Sequence, residues 1–242
     1  MVTFKTRSQE KEIMDLGIPS YEETVGNYRL IRSVNRFLGG SQTILTHLAR
    51  FSRSWSKDAL IRILDVGSGA ADIPQAIIRW GRRRGYPISV VAVDRDPHVI
   101  RFARQALEDY PEITWVRALS PSLPFGPASF DYVISSLFFH HLSEGEIVET
   151  LQTFDRLARR GIVVNDLLRR RRAYLGIFLL SRFSRNQPFR KDAPLSVLRG
   201  FQRSEIEPLV AKAGLGYLKF CSHFAYRFAI AGEKEFRDEP KP

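Results

Sequence analysis

Two glycines stand in an acidic segment of the sequence. Residues 62–74 read RILDVGSGAADIP, in which Gly67 and Gly69 follow the apolar pair Ile63 and Leu64. This pattern predicts a buried strand, a tight turn and the start of a helix, an arrangement in which a backbone can lie against a nucleotide-like ligand. A glycine at each of the two positions permits a positive φ or a close approach by the ligand.

The charge of this turn favours a cationic ligand. A pyrophosphate-binding fingerprint has a third glycine three residues after the second, and Asp72 holds that position here. A carboxylate repels a pyrophosphate but attracts an amine or a sulfonium. We therefore expect the turn to bind its ligand through Asp65, Gly67, Ser68, Gly69 and Asp72.

A further acid follows the second predicted strand, 88–93. Asp94 stands at the carboxyl end of this strand, where a carboxylate can accept hydrogen bonds from both hydroxyls of a ribose. The alternative is that Asp94 caps the helix that begins at Pro97, although Asp96 is the better cap candidate. Arg95 is placed to stack along an adenine ring.

Two consecutive histidines follow the fourth predicted strand, 130–135. The chain continues from this strand into SSLFFHHLS, which puts Ser135, His140 and His141 on the ligand side of a doubly wound sheet. Histidine can take up a proton near neutral pH. Because two consecutive side chains should not face the same way, we expect one imidazole to face the pocket and the other to pack or hydrogen bond elsewhere.

An acid also follows the fifth predicted strand, 161–164, in Asn165-Asp166. The ends of strands four and five should be neighbours, so Asp166 could hold the tautomer of a histidine and favour its protonated form. The alternative is that Asp166 is the N-cap of the next helix. No His, Asp or Glu cluster has ligand spacing in the sequence, and we therefore expect no metal site.

The composition indicates one soluble domain. The chain has 242 residues, of which 44% are hydrophobic, enough for one large α/β domain. A single cysteine, Cys221, excludes an internal disulfide framework and fits a reducing compartment. The first residues are charged, and the longest apolar run, 173–180, is far below the roughly 20 residues of a membrane span. These features predict a cytoplasmic protein.

The net charge of +11 raises the question of an acidic partner. Arginine supplies 29 of the 37 cationic residues, with dense clusters only at 82–84 and 169–172. Such a charge suits nucleic acid or an anionic membrane. The arginines are spread along the chain, however, and no zinc knuckle or aromatic RNA-binding signature accompanies them. A solvated surface is the leading interpretation, contact with a membrane surface remains open, and nucleic acid is the least favoured partner.

These motifs together resemble the class I S-adenosylmethionine (SAM) methyltransferases. DVGSGAAD is similar to the first motif of that family, with Ala71 where a third glycine is common. The resemblance covers roughly residues 60–232 and implies that SAM is the cofactor. It implies a Rossmann-like α/β fold with helices on both faces of a seven-stranded, mostly parallel sheet in the order 3-2-1-4-5-7-6.

The chain departs from the family on the adenine side. Many members have an acid before the sequence LPF that contacts the adenine amino group. Here Ala118, Leu119 and Ser120 hold that place, without a carboxylate. The resemblance therefore implies that backbone groups of this loop, or the Ser120 hydroxyl, contact the adenine instead.

Four segments are expected along the chain. Residues 1–58 form a helical cap, 59–166 the SAM-binding core, 167–202 a lid inserted after strand five, and 203–242 a helix and hairpin that complete the core. The first 19 residues have no period and should lie over the surface. Two helices follow, at 21–38 and from an N-cap at Ser41 to about Phe51, and they either pack on the core or fold over the active site.

The insertion carries the finer resemblance. A basic amphipathic stretch, RRRRAYLGIFLLSRF, precedes a predicted loop, NQPFRKDAPLSVLRGF. NDLLRRRRAY and KDAPLSVLRGF resemble bacterial O-methyltransferases of quinone, polyketide and other natural-product pathways, some of which carry a His and an Asp after strands four and five. The resemblance implies methyl transfer to a phenolic, quinol or natural-product hydroxyl, with His140, His141 and Asp166 as catalytic residues.

Two alternatives remain at this stage. One is a methyltransferase acting on RNA or membrane lipid, suggested by the net charge. The other is a SAM-fold protein that binds without turnover, suggested by the missing acid on the adenine side. The tetrapeptide with Asn-Pro or Asp-Pro that is typical of amino-group methyltransferases is absent after strand four, which reads SSLF.

Overall fold

The core is a seven-stranded sheet, seen in a computed structural model that describes residues 3–16, 20–120 and 122–235. Its strands lie in the order β3-β2-β1-β4-β5-β7-β6, which confirms the expected order. The first five strands are parallel, β7 is antiparallel to β5, and β6 is antiparallel to β7. The strands are β1 (Ile61–Val66), β2 (Ile88–Asp94), β3 (Ile113–Arg117), β4 (Phe130–Ser136), β5 (Ala158–Leu167), β6 (Lys219–His223) and β7 (Arg227–Glu233).

Helices cover both faces of the sheet. On one face, Leu151 and Phe154 pack in a cluster with Val133 of β4. On the other face, Ile44 and Ile77 pack in a second cluster with residues of β1 and β2. The helices are α1 (Tyr21–Phe37), α2 (Gly40–Phe51), α3 (Asp72–Arg84), α4 (Pro97–Ala106), α5 (Glu144–Leu157), α6 (Arg171–Arg182), α7 (Gln187–Arg199) and α8 (Arg203–Lys212).

Several expected boundaries and caps are confirmed, and others are wrong. The Asp96 side chain accepts a hydrogen bond from the His98 amide at 2.8 Å and is the N-cap of α4, so Asp94 is not its cap. Asp166 lies inside β5, and the N-cap of α6 is Arg170, so the alternative that Asp166 is a cap is wrong. The expected N-cap at Ser41 is also wrong, because Gly39 occupies that position with φ of 77°.

Two segments differ more strongly from expectation. The predicted loop after α6 is instead the helix α7. Residues 3–16 lie over the surface as expected, but they also carry a short 3-10 helix, Ile13–Leu16, whose backbone is hydrogen bonded to Asp192 of α7. This segment therefore closes one side of the carboxyl end of the sheet. The polar C-terminal tail, which the sequence predicts to fray, falls largely outside the described residues.

Candidate active site

A cavity of about 1520 Å³ opens at the carboxyl end of the parallel strands. Residues of the N-terminal segment, α1, α6 and α7 line it together with the loops that follow β1, β2 and β4. The predicted site residues that border the cavity are Asp65, Gly67, Ser68, Gly69, Asp72, Asp94, Arg95, Leu119, Ser120, His140 and His141. The fold thus brings residues of several distant motifs to one place.

The glycine turn has the conformation that the sequence requires. Gly67 has φ of 72° and Gly69 has φ of 51°, values that L residues rarely adopt. A Cβ atom at Gly67 would lie 2.9 Å from the Phe138 ring, and one at Gly69 would lie 2.8 Å from the Tyr28 ring. The close approach at both positions is therefore made by aromatic rings of the protein itself, on the edge of the cavity.

Two carboxylates beside this turn have oxygens without partners. Asp65 is only 1% exposed, and neither of its oxygens has a hydrogen-bond partner in the described part of the chain. Burial raises the pKa of Asp65 well above its ordinary value, and the charges of Asp72 and Asp94 add to the shift. One oxygen of Asp72 is equally unpartnered, and burial raises the pKa of Asp72 to about 6. A bound cation would satisfy these oxygens and favour the ionised form of both acids.

Asp94 ties β2 to the glycine turn. Its Oδ2 accepts a hydrogen bond from the Gly69 amide at 2.8 Å, and its Oδ1 accepts one from the Asp96 amide at 3.0 Å. Burial raises the pKa of Asp94. Each carboxylate oxygen has a second lone pair, so Asp94 retains acceptor capacity toward the cavity that it borders.

A buried arginine that no sequence motif indicates faces the acids from β7. Arg227 is 1% exposed, and burial lowers its pKa to about 10. Its Nη2 donates to Oδ1 of Asn35 at 2.9 Å and its Nε to the Leu38 carbonyl at 2.8 Å, while Nη1 has no partner among the described residues. Because Asn35 also hydrogen bonds to Asp72, a cationic donor and anionic acceptors stand close together.

The residues expected on the adenine side are only partly placed as predicted. Arg95 pairs through Nη2 with Oδ1 of Asp15 at 3.2 Å, and the Ser120 hydroxyl lies 3.2 Å from that of Thr150. Ser135 is fully buried and its hydroxyl donates to the Val66 carbonyl at 2.8 Å. It is not among the residues that line the cavity, whereas the next residue along β4, Ser136, is.

His140 is held by a carboxylate on the neighbouring strand. Its Nδ1 lies 2.8 Å from Oδ1 of Asp166, and its backbone amide donates to Oδ2 of the same residue at 3.0 Å. Burial alone would raise the pKa of Asp166, but the charge and hydrogen bonds of His140 outweigh it and lower this pKa. The dyad expected from the sequence is therefore formed, with the carboxylate behind the imidazole.

Both histidines border the cavity, so the prediction that only one would face it is wrong. The two rings lie 4.1 Å apart between centroids in a 3-10 turn, Phe139–His141, whose two imidazoles meet the same wide cavity. His141 lies 3.0 Å from Asp15 through its Nδ1. Burial would raise the pKa of Asp15, but the bond to His141 and nearby cations lower it to about 2.

A third ionisable group completes the cluster. Glu12 is 5% exposed, its Oε1 accepts a hydrogen bond from the Ser196 hydroxyl at 2.8 Å, and it lies 3.6 Å from Nε2 of His140. Burial raises the pKa of Glu12 to about 7. One ligand-type atom from each of Glu12, His140 and His141 lies within 4.8 Å of the others, a grouping that could hold a metal ion. No sequence spacing indicates this grouping, because Glu12 lies far from the histidines along the chain, and the expectation of no metal site stays a prediction.

Arginines fasten the N-terminal segment to this cluster. Arg199 donates from Nε to the His140 carbonyl at 3.0 Å, from Nη2 to the His141 carbonyl at 3.0 Å and from Nη1 to the Glu10 carbonyl at 2.8 Å. Arg169, 2% exposed, donates to the Phe4 carbonyl at 3.1 Å. These bonds satisfy backbone carbonyls of the histidine turn and of the N-terminal segment, and they hold Glu12 beside His140.

Part of the cavity lining is apolar. Helices α6 and α7 come from the predicted insertion, and both contribute side chains to the lining. A ligand bound beside the histidines would therefore also have hydrocarbon within the same cavity. The apolar residues of this part of the lining include Leu168, Ala173, Ile177, Leu180, Phe189 and Val197.

Residues 63–161 match the sequence profile of a family described as "Methyltransferase domain". This range extends from β1 to the middle of β5, and it contains the glycine turn, Asp94 and both histidines. Among curated proteins, none matches the sequence significantly.

Solved methyltransferase structures share the fold. A SAM-dependent methyltransferase from Aquifex aeolicus matches 76% of this chain and 88% of its own, with a TM-score of 0.54 and 15% identity. The plantazolicin methyltransferase BpumL, in complex with SAH, matches 91% of this chain and 92% of its own, with a TM-score of 0.65 and 13% identity. Human N-acetylserotonin methyltransferase, in complex with SAM, matches 93% of this chain and 62% of its own, with a TM-score of 0.62 and 18% identity. These likenesses show the class I methyltransferase fold that the sequence predicts.

Proposed function

We propose that this chain, whose residues 63–161 match a methyltransferase-domain family and which has a class I methyltransferase fold, transfers a methyl group from SAM to a hydroxyl of a small hydrophobic acceptor. Bound SAM supplies an electrophilic methyl group on a cationic sulfur. The observation that carries the proposal is the set of buried, unpartnered carboxylate oxygens beside the glycine turn.

The polar groups around the turn fit the charged end of SAM. That end carries an ammonium, a carboxylate and a sulfonium. The unpartnered oxygens of Asp65 and Asp72 would accept hydrogen bonds from the ammonium, and the unpartnered Nη1 of Arg227 would donate to the carboxylate. A pyrophosphate offers no cation to the same acids, so the donor set favours SAM over a dinucleotide.

Asp94 is the proposed hydrogen-bond acceptor for the nucleoside end of SAM. A ribose beside Gly69 would find the carboxylate of Asp94 at the cavity wall, already oriented by two backbone amides. Arg95, Leu119 and Ser120 border the same region of the cavity and would contact the adenine.

His140 is the proposed base of the reaction. Asp166 holds Nδ1, which fixes the tautomer in which Nε2 can accept a proton from the acceptor hydroxyl. The buried carboxylate stabilises the imidazolium that forms, and Glu12 stands beside Nε2. His141, paired with Asp15, adds a second imidazole at the same edge of the cavity. His140, Asp166 and His141 would thereby align the acceptor hydroxyl and remove its proton.

The acceptor class follows from the apolar part of the cavity lining. Apolar side chains of α6 and α7 face the cavity, and its volume of about 1520 Å³ exceeds what one nucleoside ligand needs. This arrangement, together with the resemblance in the insertion, supports a phenol, a quinol or a related natural-product hydroxyl as the acceptor.

Two measurements test the proposal. Calorimetric titration should show binding of SAM and none of NAD, which carries a pyrophosphate. Radiolabelled SAM, incubated with extracts of phenolic, quinone and lipid metabolites, should then yield a labelled product. Binding of NAD in place of SAM would refute the donor assignment, and SAM binding without any labelled product would support a binding protein that does not turn over.

A further inference from the structure

Helix α6 is apolar on two sides. Ala173, Ile177 and Leu180 line the cavity. Leu175, Leu179 and the following Phe183 point away from it and are 56%, 54% and 88% exposed. A helix with large apolar side chains in contact with water on the side opposite its packed face normally has another apolar medium there.

The charges around this helix have one sign. Residues 167–191 contain seven arginines and Lys191, and no aspartate or glutamate. Arg170 and Arg171 are exposed at the start of α6, where Arg172 lines the cavity, and Arg182 and Arg185 are exposed at its end. Both ends of the exposed apolar side are therefore flanked by cations.

The arginines at the start of α6 do not stabilise the helix itself. The amino end of a helix carries partial positive charge, and cations there are unfavourable. No acid stands in the first turn of α6 and no side chain caps it. An external anion would relieve this repulsion, which indicates that the partner carries negative charge.

We propose that the exposed side of α6 docks on an anionic lipid bilayer. Leu175, Leu179 and Phe183 would enter the boundary between headgroups and acyl chains, while the flanking arginines contact phosphates. Among the described residues no helix is long and apolar enough to cross a bilayer, so α6 would lie in the plane of the surface. Because the other side of the same helix lines the cavity, docking would bring a membrane-dissolved acceptor to the site.

The rim of the cavity also carries exposed aromatic rings. Phe224 and Tyr226 border the cavity and are 74% and 40% exposed. Tyr226 is joined to the chain just before α6, since the Leu168 amide donates to its carbonyl at 2.8 Å. An entrance with exposed aromatic rings beside a basic apolar helix suits the interface of a membrane, where aromatic rings are favoured.

The arginines and the exposed apolar side chains together favour a bilayer over other partners. A second copy of the chain would bring the same cluster of arginines against itself. A nucleic acid would pair with the arginines but leave the leucines and Phe183 in water. An anionic bilayer satisfies both groups.

Vesicle co-sedimentation tests the proposal, in the absence of methyl donor so that the result is independent of the proposed reaction. The protein should bind vesicles of phosphatidylcholine with phosphatidylglycerol at least tenfold more tightly than phosphatidylcholine alone. The double variants Leu175→Ser/Leu179→Ser and Arg171→Glu/Arg182→Glu should each lose at least tenfold of this binding. None of these four residues lines the cavity.

Matched controls lie at the opposite end of the sheet. Leu60, 49% exposed before β1, and the exposed Arg83 and Arg84 at the end of α3 carry the same residue types away from α6. Leu60→Ser and Arg83→Glu/Arg84→Glu should bind vesicles within twofold of the unmodified protein.

Three results would overturn the proposal. The first is no vesicle binding by the unmodified protein, and the second is an equal loss in the control variants. The third is a concentration-dependent dimer that Leu175→Ser/Leu179→Ser abolishes, which would identify α6 as a contact between copies. Sedimentation velocity measures the third outcome on the same samples.

Discussion

Nδ1 of His140 lies 2.8 Å from Oδ1 of Asp166, although 26 residues separate the two in the chain. The contact spans the ends of the adjacent strands β4 and β5, and the same carboxylate also holds the His140 backbone amide. A ring bound at its Nδ1 and at its own backbone has little freedom to turn. Its Nε2 is consequently aimed at Glu12 and the cavity.

His140→Ala should lower kcat by about 10²- to 10⁴-fold, the usual contribution of a general base, while SAM affinity stays within twofold. Steady-state kinetics with an alkyl hydroxyl acceptor gives the sharpest result, because a phenol with a low pKa needs little help to lose its proton. His98→Ala, at an exposed histidine, is the matched control. Unchanged kcat for His140→Ala on the alkyl acceptor would show that this imidazole is not the base.

Asp94→Ala should weaken SAM binding by about 10- to 150-fold, equivalent to the 1.5–3 kcal/mol of charge-assisted hydrogen bonds. Part of this loss of affinity comes from the missing hydrogen bonds to the ribose. The rest comes from the Gly69 amide, which loses the acceptor that Asp94 provides. Calorimetric titration with SAM measures it, with Asp58→Asn at an exposed acid as the control. Unchanged affinity for SAM would contradict the placement of the ribose beside Asp94.

Asp65→Asn should change stability and binding in opposite directions. The buried carboxylate has no partner among the described residues, and burial raises its pKa. An amide does not ionise, so the replacement removes the part of this cost that comes from keeping a carboxyl protonated, and the free energy of unfolding of the free protein at neutral pH should rise by roughly 1 kcal/mol. SAM binding should weaken, because the ammonium loses an anionic acceptor. Urea unfolding and calorimetry measure the two effects. A variant that binds SAM as tightly as the unmodified protein would contradict the assignment.

Glu12→Gln should stabilise the protein at alkaline pH and have little effect at acidic pH. Burial raises the pKa of Glu12 from 4.5 in the unfolded chain to about 7 in the folded protein. The folded state thus keeps a proton between these values that the unfolded state has lost, and stability falls as pH rises through this range. At 1.36 kcal/mol per pKa unit, the advantage of glutamine reaches about 3 kcal/mol above pH 7.

Urea unfolding at pH 5 and pH 8 measures this difference. Glu10→Gln, at an exposed glutamate two residues away, should show no such pH dependence. An equal stability difference at both pH values would mean that Glu12 is already ionised in the folded protein at pH 5.

The sheet and half of the site could be predicted because each strand carries its own signals. β2, for example, is an apolar run that ends at Asp94 and is followed by a capped helix. Once the strand order is known, the residues after each strand must share one edge, which places His140 beside Asp166 without any knowledge of side chains.

The rest of the site depends on contacts without a periodic signal. Glu12 and Asp15 reach the cavity because Arg199 and Asp192 bind the backbone of the N-terminal segment, and hydrogen bonds of this kind leave no spacing pattern. The sequence predicts a loop in place of helix α7 because it contains prolines there, which disfavour a helix. Pro188, however, stands in the first turn, where its missing amide is not needed, and Asn186 caps that turn through the Phe189 amide at 2.8 Å.

Zinc should inhibit methyl transfer, whereas a chelator should leave it unchanged. His140 and His141 each bind a carboxylate through Nδ1, which leaves Nε2 of both rings available, and Glu12 stands within reach of the pair. A zinc ion on these three groups would occupy the nitrogen that must accept the proton. Inhibition should weaken below pH 7, where Glu12 keeps its proton.

The measurement is the rate of transfer at increasing zinc concentration, with and without EDTA, at pH 6 and pH 8. Glu12→Gln removes one ligand while leaving both imidazoles in place, so it should shift the inhibitory zinc concentration upward by at least tenfold. Loss of activity on adding EDTA alone, restored by zinc, would contradict the assignment of His140 as the base. The cluster would then be a metal centre required for catalysis, with His140 as one of its ligands.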